Sequence, residues 1–158
     1  LAVIAKEKDA RLVVDTSGEP LKHAVAVGIF LCKPNLGELS ALVGKDRLLH
    51  NEIVPTARAI IEKGGCEVMV VSMGAHGAIL VTATEHYEVK TPKVEVHSTV
   101  GAGDSMVAGM LMGMAHHGWG WKDILCYGVA AGTSATMGHG TELCNKEITD
   151  RIFEQLRH

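Results

Sequence analysis

The stretch Ser98-Thr99-Val100-Gly101-Ala102-Gly103-Asp104-Ser105 carries most of the information in this chain. Two glycines and an alanine stand directly before an acid, and the apolar, helix-compatible run Met106–Met112 follows at once. Glycines let the backbone turn so that successive N–H groups point at one spot. A helix that starts there, read here from Gly103, adds its unpaired N–H groups and the positive end of its dipole. The product is an anion hole built by Gly101, Ala102 and Gly103, with Asp104 at its rim. A carboxylate so placed can take a proton from a hydroxyl nucleophile, an arrangement that phosphoryl transfer to an alcohol requires. The competing reading of Asp104 is an ordinary first-turn acid, and that of the glycines a simple tight turn.

The pattern outward from this stretch predicts an α/β fold. Arg11–Asp15, Ile29–Cys32 and Glu67–Ser72 are short apolar runs closed by turn residues and read as buried strands. Ala78–Thr82 and His86–Val89 read as a hairpin. Helices are expected over Glu19–Val27, Leu36–Val43, Asn51–Lys63, Gly103–His117, Trp121–Met137 and Lys146–Leu156, with the tail of an amphipathic helix at Leu1–Lys8. Strands alternating with helices imply a largely parallel sheet covered by helices on both faces. Ligands in such sheets bind beyond the carboxyl ends of strands. Three segments are expected to begin there: Lys33-Pro34-Asn35, Ser72-Met73-Gly74 and Ser98–Asp104.

Composition narrows the classes. Among 158 residues, 47% are hydrophobic and 21% charged, and the net charge is −3. Such a chain can build a core, and its charge gives no reason to expect nucleic acid or an anionic membrane as partner. No apolar stretch approaches the roughly 20 residues of a membrane span. Cys32, Cys66, Cys126 and Cys144 form no C-x-x-C pair, so they read as reduced, buried residues of a cytoplasmic protein. The adjacent His116 and His117 would diverge by about 100° on a helix and chelate poorly. No Gly-Lys-Ser/Thr follows any glycine loop, and Met106 breaks G-x-G-x-x-G, so neither a P-loop nor a dinucleotide fingerprint is present.

Four segments in order resemble the ribokinase-like, phosphofructokinase B-type carbohydrate kinases. They are Lys33-Pro34-Asn35-Leu36-Gly37-Glu38, Ser72-Met73-Gly74-Ala75-His76-Gly77, Ser98–Asp104 and Gly128–Thr136. The resemblance covers essentially the whole chain and implies a ribokinase-like fold, of which these residues would be the C-terminal half. They would form a single partial domain, with the N-terminal sugar-binding and lid half absent and apolar surface left uncovered. It also implies a transferase using ATP and Mg²⁺ on a sugar phosphate. Fructose 6-phosphate is the first expectation, with fructose 1-phosphate and tagatose 6-phosphate as neighbours. The parent enzyme would be a homodimer. A nucleotide-binding fragment without turnover is the alternative.

The resemblance assigns roles residue by residue. Asp104 would be the base. Lys33, Asn35, Ser72, Gly74, Gly77, Thr99, Val129 and Thr133 would contact nucleotide. Asn35 and Glu38 would organise the waters of Mg²⁺, with Asp15 as a lesser candidate. Carbonyls at Ser98, Val100, Ala135, Gly138 and Gly140 would hold K⁺. Two positions depart from the pattern: Gly138 stands in place of Asn, and Glu142 in place of Arg. On spacing alone Glu38 is also a solvated helix residue, and Lys33 an exposed strand-end lysine.

Overall fold

The computed structural model describes residues 1–158. The elements run α1 (Ala2–Glu7), β1 (Val13–Val14), α2 (Gly18–Val27), β2 (Ile29–Cys32), α3 (Leu36–Leu42) and α4 (His50–Glu62). Then follow β3 (Cys66–Ser72), β4 (Ala78–Val81), β5 (His86–Val89), α5 (Ala102–Ala115), α6 (Trp121–Thr136) and α7 (Lys146–Arg157). The strands form one sheet in the order β1-β2-β3-β4-β5, and β1, β2 and β3 are mutually parallel. The chain belongs to the α/β class, as its alternating pattern implies. It divides into two compact units: Leu1–Met73 with Ile79–His86, and Gly74–Ala78 with Tyr87–His158.

In the first unit, every residue of β2 is buried, as are Cys66, Val68, Met69, Val70 and Val71 of β3. Successive strand residues point to opposite faces, so both faces of these strands are covered. One core gathers Leu21, Leu39, Ile53, Ala57 and Ile61 from α2, α3 and α4 against Cys32, Met69, Val71 and Ile79. Ile53, Ala57 and Ile61 recur every fourth residue and form the inner stripe of α4. The strand expected over Arg11–Asp15 is shorter than its apolar run: only Val13 and Val14 pair, and both are half-buried. β1 lies at the sheet edge, where one side has no partner to extend it. In α1 no residue is buried, and Val3 and Ile4 are 68% and 56% exposed.

In the second unit, α5, α6 and α7 pack through small residues and an aromatic cluster. A Cβ on Gly109 would lie 2.7 Å from that of Ala131, and one on Gly128 would lie 2.5 Å from Met110 Cγ. The two helix axes approach closely only because these side chains are missing. Trp119 packs on His116, Tyr127 and Phe153 with ring centroids 4.3–5.3 Å apart. Helix α5 starts at Ala102, one residue before the Gly103 expected from sequence, because Gly101 (φ 77°) is its N-cap. The last glycine-rich motif does not begin at a strand end. β5 stops at Val89, and irregular chain leads from there to Ser98–Asp104. All four cysteines are free; Cys32, Cys66 and Cys126 are buried, and Cys144 is half-buried.

The α6–α7 contact makes a testable pH signature. Tyr127 donates its hydroxyl to Asp150 Oδ1 at 2.8 Å, and Lys146 pairs with Asp150 Oδ2. Lys146, then Tyr127, hold the Asp150 carboxyl below its usual value of 3.8. Burial, then Asp150, push the Tyr127 phenol from 10.0 up to about 12. The Asp150 contribution to stability is present above pH 3.8 and is lost as pH falls through the lowered folded value. The Tyr127 contribution is complete below pH 10.0 and is lost as pH rises toward about 12. Thermal midpoints followed from pH 9 to 12 should therefore fall more steeply for the wild type than for Tyr127→Phe. Parallel curves would refute the coupling.

Candidate active site

In the first unit the candidate residues gather where parallel strands end. β2 is a buried β-strand that Pro34 terminates, because proline has no N–H for the ladder. The pairing nonetheless reaches further: Ser72 N–H donates to Pro34 C=O at 3.0 Å, and Asn35 bridges Ser72. Asp15, Lys33, Asn35 and Ser72 therefore lie at or just past the carboxyl ends of β1, β2 and β3. Lys33 is only 6% exposed, which overturns its reading as a surface strand-end lysine. Its Nζ lies 3.4 Å from Asp15 Oδ2. A buried ammonium needs such a partner, since an unpaired one is very costly.

Asn35 and Glu38 meet as their spacing implies, because Leu36 opens α3. They form a capping box: Asn35 Oδ1 accepts Glu38 N–H, and Glu38 Oε2 accepts Asn35 N–H, both at 2.8 Å. Glu38 Oε1 is left uncommitted. Both side chains line a cavity of about 290 Å³ with Gly18, Leu21 and Lys22. A half-exposed carboxylate oxygen beside open space suits Mg²⁺, which keeps most of its waters and takes few protein ligands.

In the second unit the chain turns at Thr99–Asp104 into the start of α5. Gly101 turns the chain with φ 77°, and Ser105 N–H closes the first helical bond on Gly101 C=O at 2.9 Å. Ala102 N–H folds back to Thr99 C=O at 3.4 Å, so that amide is partly engaged. The amides of Gly101, Gly103 and Asp104 have no acceptor in the chain. Gly103 is exposed and open to approach. The Asp104 carboxylate is exposed and makes no hydrogen bond or ion pair. Three free amides and a free carboxylate at a helix start can bind an anion and take a proton.

The segment after α6 packs beside this turn. His97 and Ser98 N–H groups both donate to Thr136 C=O, at 2.8 and 3.3 Å. Ser98 Oγ donates to Gly140 C=O at 2.7 Å, and Gly138 N–H donates to Ala135 C=O at 3.2 Å. Ser98, Ala135, Gly138 and Gly140 thus come together, with Val100 N–H tied to Ser98 Oγ at 3.2 Å. The donor set is all oxygen, suited to a hard cation, although two of its carbonyls already accept a bond. Glu142 reaches back over Gly138, its Oε2 accepting His139 N–H at 3.2 Å. Residue spacing held no sign that His97 and His139 stack, with centroids 4.4 Å apart. Nor did it show that the Ser105 hydroxyl is buried against Cys144 N–H.

The remaining positions differ in what they present. Gly74 opens a 3₁₀ turn, Gly74–His76, closed by Gly77 N–H on Gly74 C=O at 3.1 Å. Gly74 is exposed and Gly77 is buried against Val89. Val129 and Thr133 lie buried in α6, and the Thr133 hydroxyl donates to Val129 C=O at 2.7 Å. That hydroxyl is therefore occupied within the helix.

The profile of the pfkB family carbohydrate kinases matches residues 1–148. The chain is 40% identical over 153 residues to the ATP-dependent 6-phosphofructokinase isozyme 2 of Escherichia coli K12, covering 96% of this chain and 49% of that protein. It is 33% identical over 157 residues to the 1-phosphofructokinase of Bacillus subtilis 168, covering 99% and 50%. The structure of phosphofructokinase-2 from Escherichia coli in complex with potassium superposes with a TM-score of 0.94 at 39% identity, over 99% of this chain and 51% of that one. The chain thus spans about half the length of the curated relatives it matches. This chain belongs to the pfkB family of carbohydrate kinases.

Proposed function

We propose that this chain supplies the nucleotide-binding and base-bearing half of an ATP-dependent sugar-phosphate kinase, with fructose 6-phosphate as acceptor. The observation that carries the reading is the start of α5, where the amides of Gly101, Gly103 and Asp104 have no acceptor in the chain and an uncommitted carboxylate stands beside them. In the reaction, the acceptor oxygen forms its bond to the γ-phosphorus as the bond to the β–γ bridging oxygen breaks and ADP leaves. Asp104 takes the hydroxyl proton. The amides hold the charge on the transferring group, which is most of what a loose transition state demands. Bound Mg²⁺ would supply charge neutralisation between the phosphates, with Asn35 and Glu38 holding its waters. Lys33 would contact a nucleotide phosphate, Ser72, Gly74 and Gly77 would lie along the nucleotide, and Val129 and Thr133 belong to the segment that would close over its base. K⁺ would sit among the carbonyls near Ser98 and Gly140.

The names of the relatives support 6-phosphofructokinase activity over the 1-phosphofructokinase alternative, since the higher identity falls on the former. A homodimer in the cytoplasm is the setting proposed for the parent enzyme. No helix is long and apolar enough to cross a membrane.

Calorimetric titration with ATP, with and without Mg²⁺, tests the reading. Saturable binding that requires Mg²⁺ supports it. A folded chain that binds no ATP would leave the kinase reading to the parent fold only. In the same titration Glu38→Gln should raise the Mg²⁺ concentration needed by about tenfold, since one carboxylate–cation interaction is lost. The amide oxygen of glutamine can still accept Asn35 N–H, so α3 should keep its cap. An unchanged Mg²⁺ titration would remove Glu38 from the site.

A further inference from the structure

The turn Thr99–Asp104 is held at both ends by serine hydroxyls that reach the same segment. Before the turn, Ser98 Oγ donates to Gly140 C=O at 2.7 Å and accepts Val100 N–H at 3.2 Å. After it, Ser105 Oγ accepts Cys144 N–H at 3.3 Å, and Ser105 is 2% exposed. Between Gly140 and Cys144 stands Leu143, which is 64% exposed although apolar. Its Cδ2 lies 3.1 Å from where a Cβ on Gly101 would stand. The backbone on either side of Leu143 is tied to the turn, at Gly140 by Ser98 and at Cys144 by Ser105.

We propose that Ser105 is a positioning residue. With Ser98 it clamps the segment 140–144 over the back of the anion turn and so fixes the amides of Gly101, Gly103 and Asp104. The functional part of this inference rests on the kinase reading; the clamp itself does not. Amides that stabilise a transferring phosphoryl group must be held within a fraction of an ångström, and small misplacements cost large factors in rate. Ser105 touches no reacting atom. It acts through Cys144 and Leu143 on the turn that Gly101 begins.

The chain carries its own reporter. Cys144 is half-buried whereas Cys32, Cys66 and Cys126 are buried, so a chromogenic disulfide reagent should modify Cys144 first. Ser105→Ala should speed that labelling by about tenfold, the factor set by one lost hydrogen bond. It should weaken Mg²⁺-ATP binding by a similar factor, and Ser105→Thr, which keeps the hydroxyl, should restore both. Unchanged labelling in Ser105→Ala overturns the clamp. Faster labelling with unchanged ATP affinity overturns its role in positioning the amides. If the wild type binds no ATP, the kinase reading no longer applies to this chain by itself, while labelling still decides the clamp. Should Ser105→Ala not fold, amide exchange in the wild type decides it: slow exchange at Cys144 supports the clamp, and exchange as fast as in the neighbouring exposed residues overturns it.

Discussion

Asp104→Asn is expected to lower turnover by about 10²–10⁴-fold, the usual contribution of a positioned general base. ATP affinity should stay within about twofold, because the substitution removes a proton acceptor and leaves the amides of the turn in place. Asparagine matches the shape of aspartate, and Asp104 makes no hydrogen bond or ion pair that the change would break. Its side chain is exposed at the third residue of α5, so packing is unaffected. Under the proposed function, the test is steady-state phosphorylation of fructose 6-phosphate, run beside calorimetry with ATP. Turnover within tenfold of wild type would remove Asp104 from the mechanism. A parallel loss of ATP binding would assign it to binding instead.

Gly77→Ala is expected to destabilise the fold by about 3–5 kcal/mol, combining backbone strain with overpacking. Gly77 has φ 95°, a conformation that side chains rarely adopt. A Cβ there would stand 1.9 Å from Val89 C=O and 2.8 Å from Lys90 Cα, so backbone must move to admit a methyl group. For a domain of this size the thermal midpoint should fall by on the order of 10 °C. Gly74→Ala is the matched control: its φ is 58° and nothing lies within 4 Å. It should cost only about 1 kcal/mol. Equal midpoints for the two variants would show that the turn relaxes around the added methyl group.

Much of the fold was legible in the residues. β2 and β3 are continuous apolar runs, and only a strand buried on both faces tolerates that pattern without exposing surface. α4 shows its inner stripe as Ile53, Ala57 and Ile61, and the Asn35–Glu38 spacing implies that the two share a face of α3, while the capping box they form there is decided by the structure. β1 is shorter than its apolar run, because such a run does not reveal that its strand lies at an edge with one neighbour. α5 starts one residue before the position that sequence suggests, since either glycine could act as N-cap and the backbone angle of Gly101 decides it.

For the candidate site, the sequence by itself determined the chemistry available: a glycine turn, an acid at a helix start, an Asn-x-x-Glu pair and a lysine after a buried strand. These are local properties, fixed by residue type and spacing over a few positions. Tertiary structure decided what each group is free to do. It buried Lys33 against Asp15, turned the Thr133 hydroxyl onto Val129 and committed one Glu38 oxygen to a cap. It also brought Ser98 to Gly140 and Ser105 to Cys144, across about forty residues of chain. Such pairings depend on how α5 and α6 pack and where the chain leaves α6, and the hydroxyls that make them have no periodicity to announce it.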